Sequence, residues 1–146
     1  MSLRMGAEEM AAIREHGERD YPLECCGLLL GRRGEEDGVR RVEAVRAMRN
    51  AHPDSPQNRY ELDPAEHVRA QREARERGWE IVGYYHTHPD HPAQPSRTDL
   101  ELASWPGYSY MIVSVRQGKS AEANSFELAE DRSRFVPEAV EVSSLY

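Results

Sequence analysis

Trp79-Glu80-Ile81-Val82-Gly83-Tyr84-Tyr85, running straight into His86-Thr87-His88-Pro89, is the stretch that decides the fold. Ile81 to Tyr85 is apolar at every position, which marks a central strand covered on both faces. After Tyr85 the chain turns polar and proline-rich over 86–95. Upstream, Cys25-Cys26-Gly27-Leu28-Leu29-Leu30-Gly31 is a second short apolar run, bounded by Pro22 and a glycine-rich turn at 34–38. At that length a buried strand is expected, with 39–45 as its antiparallel hairpin partner. Further out, a helix is expected over 5–20, with Met10, Ile13 and Gly17 on one face and Pro22 ending it. Residues 47–59 read as an irregular loop, followed by a short strand at 59–62. Asp63-Pro64-Ala65-Glu66 starts a second helix, with an N-cap aspartate and proline at the first helical position, and Gly78 closes it. The arginines of this helix read as a solvated face, with Glu73 and Arg77 four apart. A short helix from Ser96, strands over 108–115 and 121–128, and a last strand around Val140 complete the expectation. The sum is an α/β domain with a mixed, mostly antiparallel sheet flanked by two or three helices.

A chain of 146 residues suits one domain, taken as 1–146, with 1–4 and 137–146 expected at the periphery. Its formal charge of −7 argues against a protein built to grip nucleic-acid phosphates. A mean hydropathy of −0.81, with apolar runs of only a few residues, argues against a membrane span. Both cysteines, Cys25 and Cys26, are adjacent. Neighbouring Cα atoms lie about 3.8 Å apart, shorter than the usual disulfide span. An internal bridge is therefore not expected, and with no signal peptide visible the reading is a reducing, cytoplasmic protein.

The chemistry lies in 86–99. On an extended chain His86 and His88 point to one side, so both imidazoles can reach one ion. Asp99 offers a carboxylate from the following helix. Two imidazoles and one carboxylate leave a fourth position open, as in catalytic zinc; structural zinc is closed by four protein ligands. Blander readings compete. A histidine pair at a strand end can be surface decoration, and Ser96-Arg97-Thr98-Asp99 is also a near capping box that would claim the Asp99 carboxylate. His91 could ligate too, but sits among prolines. His16, His52 and His67 lack clustered partners and are taken as surface or loop residues. If 25–31 is a strand, Cys25 and Cys26 face opposite sides, and at least one is a small buried hydrophobe. A cysteine nucleophile served by His86 or His88 is the sharp alternative.

His86-Thr87-His88, seven residues, Ser96, two residues and Asp99 together resemble the zinc signature of the JAMM (JAB1/MPN/Mov34) metalloprotease family. Pro22-Leu23-Glu24-Cys25-Cys26-Gly27-Leu28-Leu29-Leu30-Gly31 is similar to that family's N-terminal block, in which a glutamate precedes a Cys-Gly-Leu-Leu strand. Tyr60-Glu61-Leu62-Asp63-Pro64 and the Gly83 strand match as well, so the likeness spans about 8–130, in the manner of the short prokaryotic branch. The resemblance implies a single MPN/JAB-like domain in which His86, His88 and Asp99 bind Zn²⁺. It makes Glu24 the general base and Ser96 a donor to the oxyanion. Spacing alone does not bring Glu24 to the metal, 62 positions before His86.

The resemblance also implies a deubiquitinase-like isopeptidase. It would hydrolyse, through a zinc-activated water, the amide after the C-terminal Gly-Gly of a ubiquitin-like or sulfur-carrier β-grasp protein. Such a tail could dock by strand addition at a free edge beside the zinc, and loop 47–59 is a candidate substrate contact. The alternative is a non-catalytic MPN-type scaffold that only holds partners. A DNA-repair-associated relative with a similar metal motif sits poorly with the acidic balance, and a zinc deaminase would need a Pro-Cys-x-x-Cys pair that is missing here. Substrate identity, isopeptide against linear cleavage, and oligomeric state stay open at this point.

Overall fold

The computed structural model describes residues 2–50, 61–103 and 105–143. Their elements are β1 (Ser2–Gly6), α1 (Ala7–Asp20), β2 (Cys26–Arg33), β3 (Arg40–Met48), α2 (Pro64–Glu76), β4 (Glu80–Pro89), α3 (Arg97–Leu102), β5 (Ser109–Arg116), β6 (Lys119–Leu128) and β7 (Phe135–Ser143). The strands run β1-β3-β2-β4-β5-β6-β7 and close into a barrel through β1 and β7. Four of the pairings are antiparallel; β1–β3, β1–β7 and β4–β5 are parallel. The mixed, mostly antiparallel sheet with three helices matches the expectation.

The N-terminus departs from it. Residues 2–6 are a strand and not the start of a helix, because Leu3 and Met5 alternate into the core while Ser2, Arg4 and Gly6 stay half-buried. Helix α1 starts only at Ala7, where the Glu9 carboxylate accepts the Gly6 N–H at 3.0 Å. The last strand reaches Ser143, and Ser2 to Gly6 pair with Ala139 to Ser143, so segments expected at the periphery close the sheet.

Two layers flank β4, as its apolar pattern requires. On one face Tyr85 packs with Cys25, Leu29, Met111 and Val113 under α1. On the other, Tyr84 packs with Cys26, Leu28 and Tyr110 under α2. Cys25 and Cys26 do face opposite sides, and both are buried. Helix α1 can lie this close because Gly17 has no side chain: a Cβ there would sit 2.8 Å from Thr87 Cγ2. Helix α2 begins as read, with Asp63 Oδ1 accepting the Ala65 N–H at 2.9 Å. Gly78 ends it at φ +76°, a left-handed value suited to glycine. Glu73 does pair with Arg77, at 3.7 Å, and also with Arg46. A fully buried arginine, Arg40, is matched by Glu127, by Glu138 at 3.3 Å and by the Gly107 carbonyl at 3.1 Å. Such a charge is tolerable in a core only because it is paired and hydrogen-bonded.

The strand ending at Tyr85 in the sequence reading in fact runs on to Pro89. Its polar end is held on both flanks: Thr87 N–H donates to Cys25 O at 3.0 Å on the β2 side, and His86 and His88 pair with Ile112 and Ser114 on β5. Backbone pairing therefore outweighs the polar composition.

Candidate metal centre

Since β4 continues through the histidines, His86 and His88 fall on one face, on the Tyr84 side of the sheet. Their Nε2 atoms lie 3.2 Å apart. Helix α3 brings Asp99 over them, with Oδ1 3.3 Å from His86 Nε2 and Oδ2 3.1 Å from His88 Nε2. These are the three residues whose ligand atoms the sequence pattern grouped, and the fold groups them.

Asp99 also closes the capping box. Its backbone N–H donates to Ser96 Oγ at 3.0 Å, and its Oδ2 accepts the Ser96 N–H at 2.9 Å. The two uses expected to compete for this carboxylate coexist, because a carboxylate has lone pairs enough for both. The box aims the carboxylate, and the Ser96 hydroxyl hydrogen stays available to an outside acceptor.

Glu24 arrives by strand pairing. The antiparallel register sets Cys26 opposite His86. One step on, Cys25 N–H donates to Thr87 Oγ1 at 2.9 Å. Glu24 immediately precedes Cys25, just outside β2. Its side chain is buried, its carbonyl accepts Asn50 Nδ2 at 3.0 Å, and its charge is felt at His88. The signal that could have found Glu24 is thus the pairing of the two apolar runs, and not any spacing.

Burial drives the His86 pKa down, against the pull of Asp99. Burial also acts downward on His88. There it is overcome by the Asp99 hydrogen bond, the Pro92 carbonyl and the Asp99 and Glu24 charges, so the net shift is upward. Burial pushes Asp99 up, but hydrogen bonds from both histidines hold it well below the usual carboxylate range. His88 Nδ1 donates to Pro92 O at 2.9 Å. A carbonyl can only accept, so the hydrogen of the neutral ring sits on Nδ1 and the Nε2 lone pair faces Asp99. When His88 is neutral, its Nε2 turns a lone pair to the point that His86 Nε2 and the Asp99 carboxylate also face, an arrangement suited to a cation. Tetrahedral bonds of about 2.0–2.1 Å imply ligand–ligand separations of roughly 3.3 Å, close to those observed, so the donor set fits a metal of zinc's kind.

Other sequence candidates fall outside this group. His91 is exposed, and its ring is not among the converging ligand atoms. His16, read as a surface residue, is buried on the opposite face, with Nδ1 2.7 Å from the Tyr85 hydroxyl; helix α1 turns it inward beside Gly17. His67 is half-buried and stacks on Tyr84. His52, most of loop 47–59 and the start of the 59–62 strand lie outside the described residues; Leu62 forms a single bridge with Asn50. The cysteine-nucleophile alternative meets an obstacle, since burial pushes the Cys25 thiol up to about 12 and Cys26 upward as well. Sequence reasoning also missed an aromatic cleft on the same face, floored by Tyr84 and Tyr110 and rimmed by Leu102 and Trp105. No helix among the described residues is long and apolar enough to cross a membrane.

A family model described as prokaryotic homologs of the JAB domain matches residues 6–129. The chain is 40% identical over 105 residues to a desampylase of Haloferax volcanii, covering 72% of each protein. It is 33% identical over 124 residues to a CysO-cysteine peptidase of Mycobacterium tuberculosis, covering 85% of this chain and 81% of that one. A solution structure of a protein from Desulfitobacterium hafniense superposes with a TM-score of 0.85 at 32% identity, over 98% of this chain and 94% of the other.

Proposed function

The chain belongs to the family of prokaryotic JAB-domain homologs, and on that premise we propose that it is a zinc metallopeptidase of the JAMM type that hydrolyses the amide bond after the C-terminal Gly-Gly of a ubiquitin-like or sulfur-carrier protein. One observation carries the reading. His86 Nε2, His88 Nε2 and the Asp99 carboxylate converge to 3.1–3.3 Å, with a buried glutamate beside them. The relatives named desampylase and CysO-cysteine peptidase support the substrate class.

His86, His88 and Asp99 would hold the zinc. When bound, zinc supplies Lewis-acid polarisation of a carbonyl and makes water acidic near neutrality. Glu24, held beside His88, takes a proton from the attacking water and returns it to the leaving amine. Ser96, whose oxygen is engaged by the Asp99 N–H, turns its hydroxyl hydrogen to the carbonyl oxygen as that oxygen gains charge. Two glycines suit the substrate tail because they let its backbone approach a recessed site closely.

The test combines metal analysis with incubation of the purified protein and β-grasp carriers extended beyond their Gly-Gly, with and without a chelator. Cleavage after the second glycine is expected, lost on chelation and restored by zinc. Protein that binds no zinc and leaves every extended carrier intact would instead be a scaffold.

A further inference from the structure

The segment joining β4 to α3 is fastened from the neighbouring strands. On β5, Ser114 Oγ donates to His91 O at 2.6 Å. On β6, Asn124 Nδ2 donates to Ala93 O at 3.0 Å. The Ala93 side chain is fully buried in a small cluster with Ile112 and Phe126. Between these two fastened carbonyls lies that of Pro92, the acceptor of His88 Nδ1–H and, at 2.8 Å, of the Gln94 N–H within the same loop. Proline has no N–H, so this carbonyl is the only polar group its backbone offers.

We infer that Ser114 and Asn124 are positioning residues for the metal: by clamping the carbonyls on either side of Pro92, they fix the acceptor for His88 Nδ1–H and so the nitrogen that His88 presents to the ion. The inference rests on the metal-centre reading above.

Placement on the sheet favours this over a general packing role. Ser114 is the register partner of His88 on the adjoining strand and is fully buried. It interrupts the otherwise apolar Met111-Ile112-Val113-Ser114-Val115. A hydroxyl there carries a burial cost that only a partner offsets, and the partner it takes is the His91 carbonyl. Asn124 reaches the same loop from a different strand, pairing in register with Ile112. Both contacts are donations to carbonyls, so a side chain that only accepts cannot replace either. Glu122 also reaches this loop, where it accepts the Ala93 N–H at 3.4 Å and is engaged with Arg116 at 3.0 Å. It clamps no carbonyl.

The experiment measures zinc dissociation constants by competition with a chromophoric chelator, for the wild type, Asn124→Asp and Ser114→Ala. Unfolding of each metal-free protein serves as the check on the fold. Loss of an outer partner to a ligating histidine typically weakens metal binding by about 10–100-fold; Ser114 and Asn124 act one bond further out, through Pro92, so the lower end, about 10-fold, is expected for both variants. Asn124→Asp is the more telling one. It adds a negative charge that alone would tighten cation binding, so weaker binding must come from the lost donor. Ser114→Ala barely changes volume and keeps the test open should Asn124→Asp fail to fold. Wild-type affinity in folded variants would overturn the positioning role and leave the metal centre standing. A wild type that binds no zinc would overturn the centre, and this role with it.

Discussion

Two clusters of histidine, carboxylate and their neighbours lie on opposite faces of the same pair of strands. His86, His88 and Asp99 form one; His16, Asp20 and Cys25 form the other, with ligand atoms also within 4.8 Å of one another. Residue types alone would rank them together. Their hydrogens separate them. Burial keeps the His16 ring neutral by lowering its pKa. Its Nε2 lies 3.2 Å from Asp20, which can only accept, so Nε2 holds the hydrogen and Nδ1 accepts the Tyr85 hydroxyl at 2.7 Å. That network closes on itself. At the other cluster His88 gives its Nδ1 hydrogen to Pro92, so the neutral ring turns an Nε2 lone pair to Asp99, where His86 Nε2 also converges. A site is thus recognised by surplus acceptors, and not by a count of ligand-type residues.

The sharpest way to break this comparison is His88→Ala, which is expected to abolish both zinc content and cleavage. Glu24→Gln is expected to abolish cleavage and keep the zinc, as metal analysis beside the carrier assay will read. Retained activity in Glu24→Gln would remove the general base. Next in size is Ser96→Ala, expected to keep the metal and slow turnover by roughly 10²–10³-fold, the usual loss for one oxyanion donor. A rate near wild type would leave Ser96 as a helix cap alone.

The second cluster should answer differently. His16→Ala strips the buried Tyr85 hydroxyl of a partner, and is expected to cost about 1–3 kcal/mol in denaturant unfolding while zinc content stays unchanged. A fall in zinc content of the folded variant would show that the two faces are not separate. The smallest effect concerns the thiols. With Cys25 pushed up to about 12 and both cysteines buried, neither should react with a thiol reagent at neutral pH until the protein is unfolded. Prompt labelling of the native protein would contradict that burial.

The parts legible in the sequence were those written locally. The alternation of His86 and His88, the Asp63-Pro64 helix start and the Ser96–Asp99 box each lie within a few residues, and each forms as read. What stayed hidden depends on partners far along the chain. Residues 86–89 extend β4 because Cys25 and β5 meet them, against their own polar composition. Leu3 and Met5 are core because β7 lies alongside, about as far away as the chain allows. His16 is interior because Gly17 lets α1 settle on Thr87. Glu24 reached the site on paper only through family resemblance, whereas in the fold its neighbour Cys25 is bonded to Thr87 and its charge acts on His88.

The pairing of β1 with β7 bears on how the protein is made. Residues 2–6 find their main ladder with 139–143, and Ser2 meets Ala139, 137 positions along the chain. The barrel therefore cannot close until both strands have been made. Leu3 and Met5 must wait for β7, exposed to water, and ring closure over so long a sequence separation belongs among the slow steps of folding.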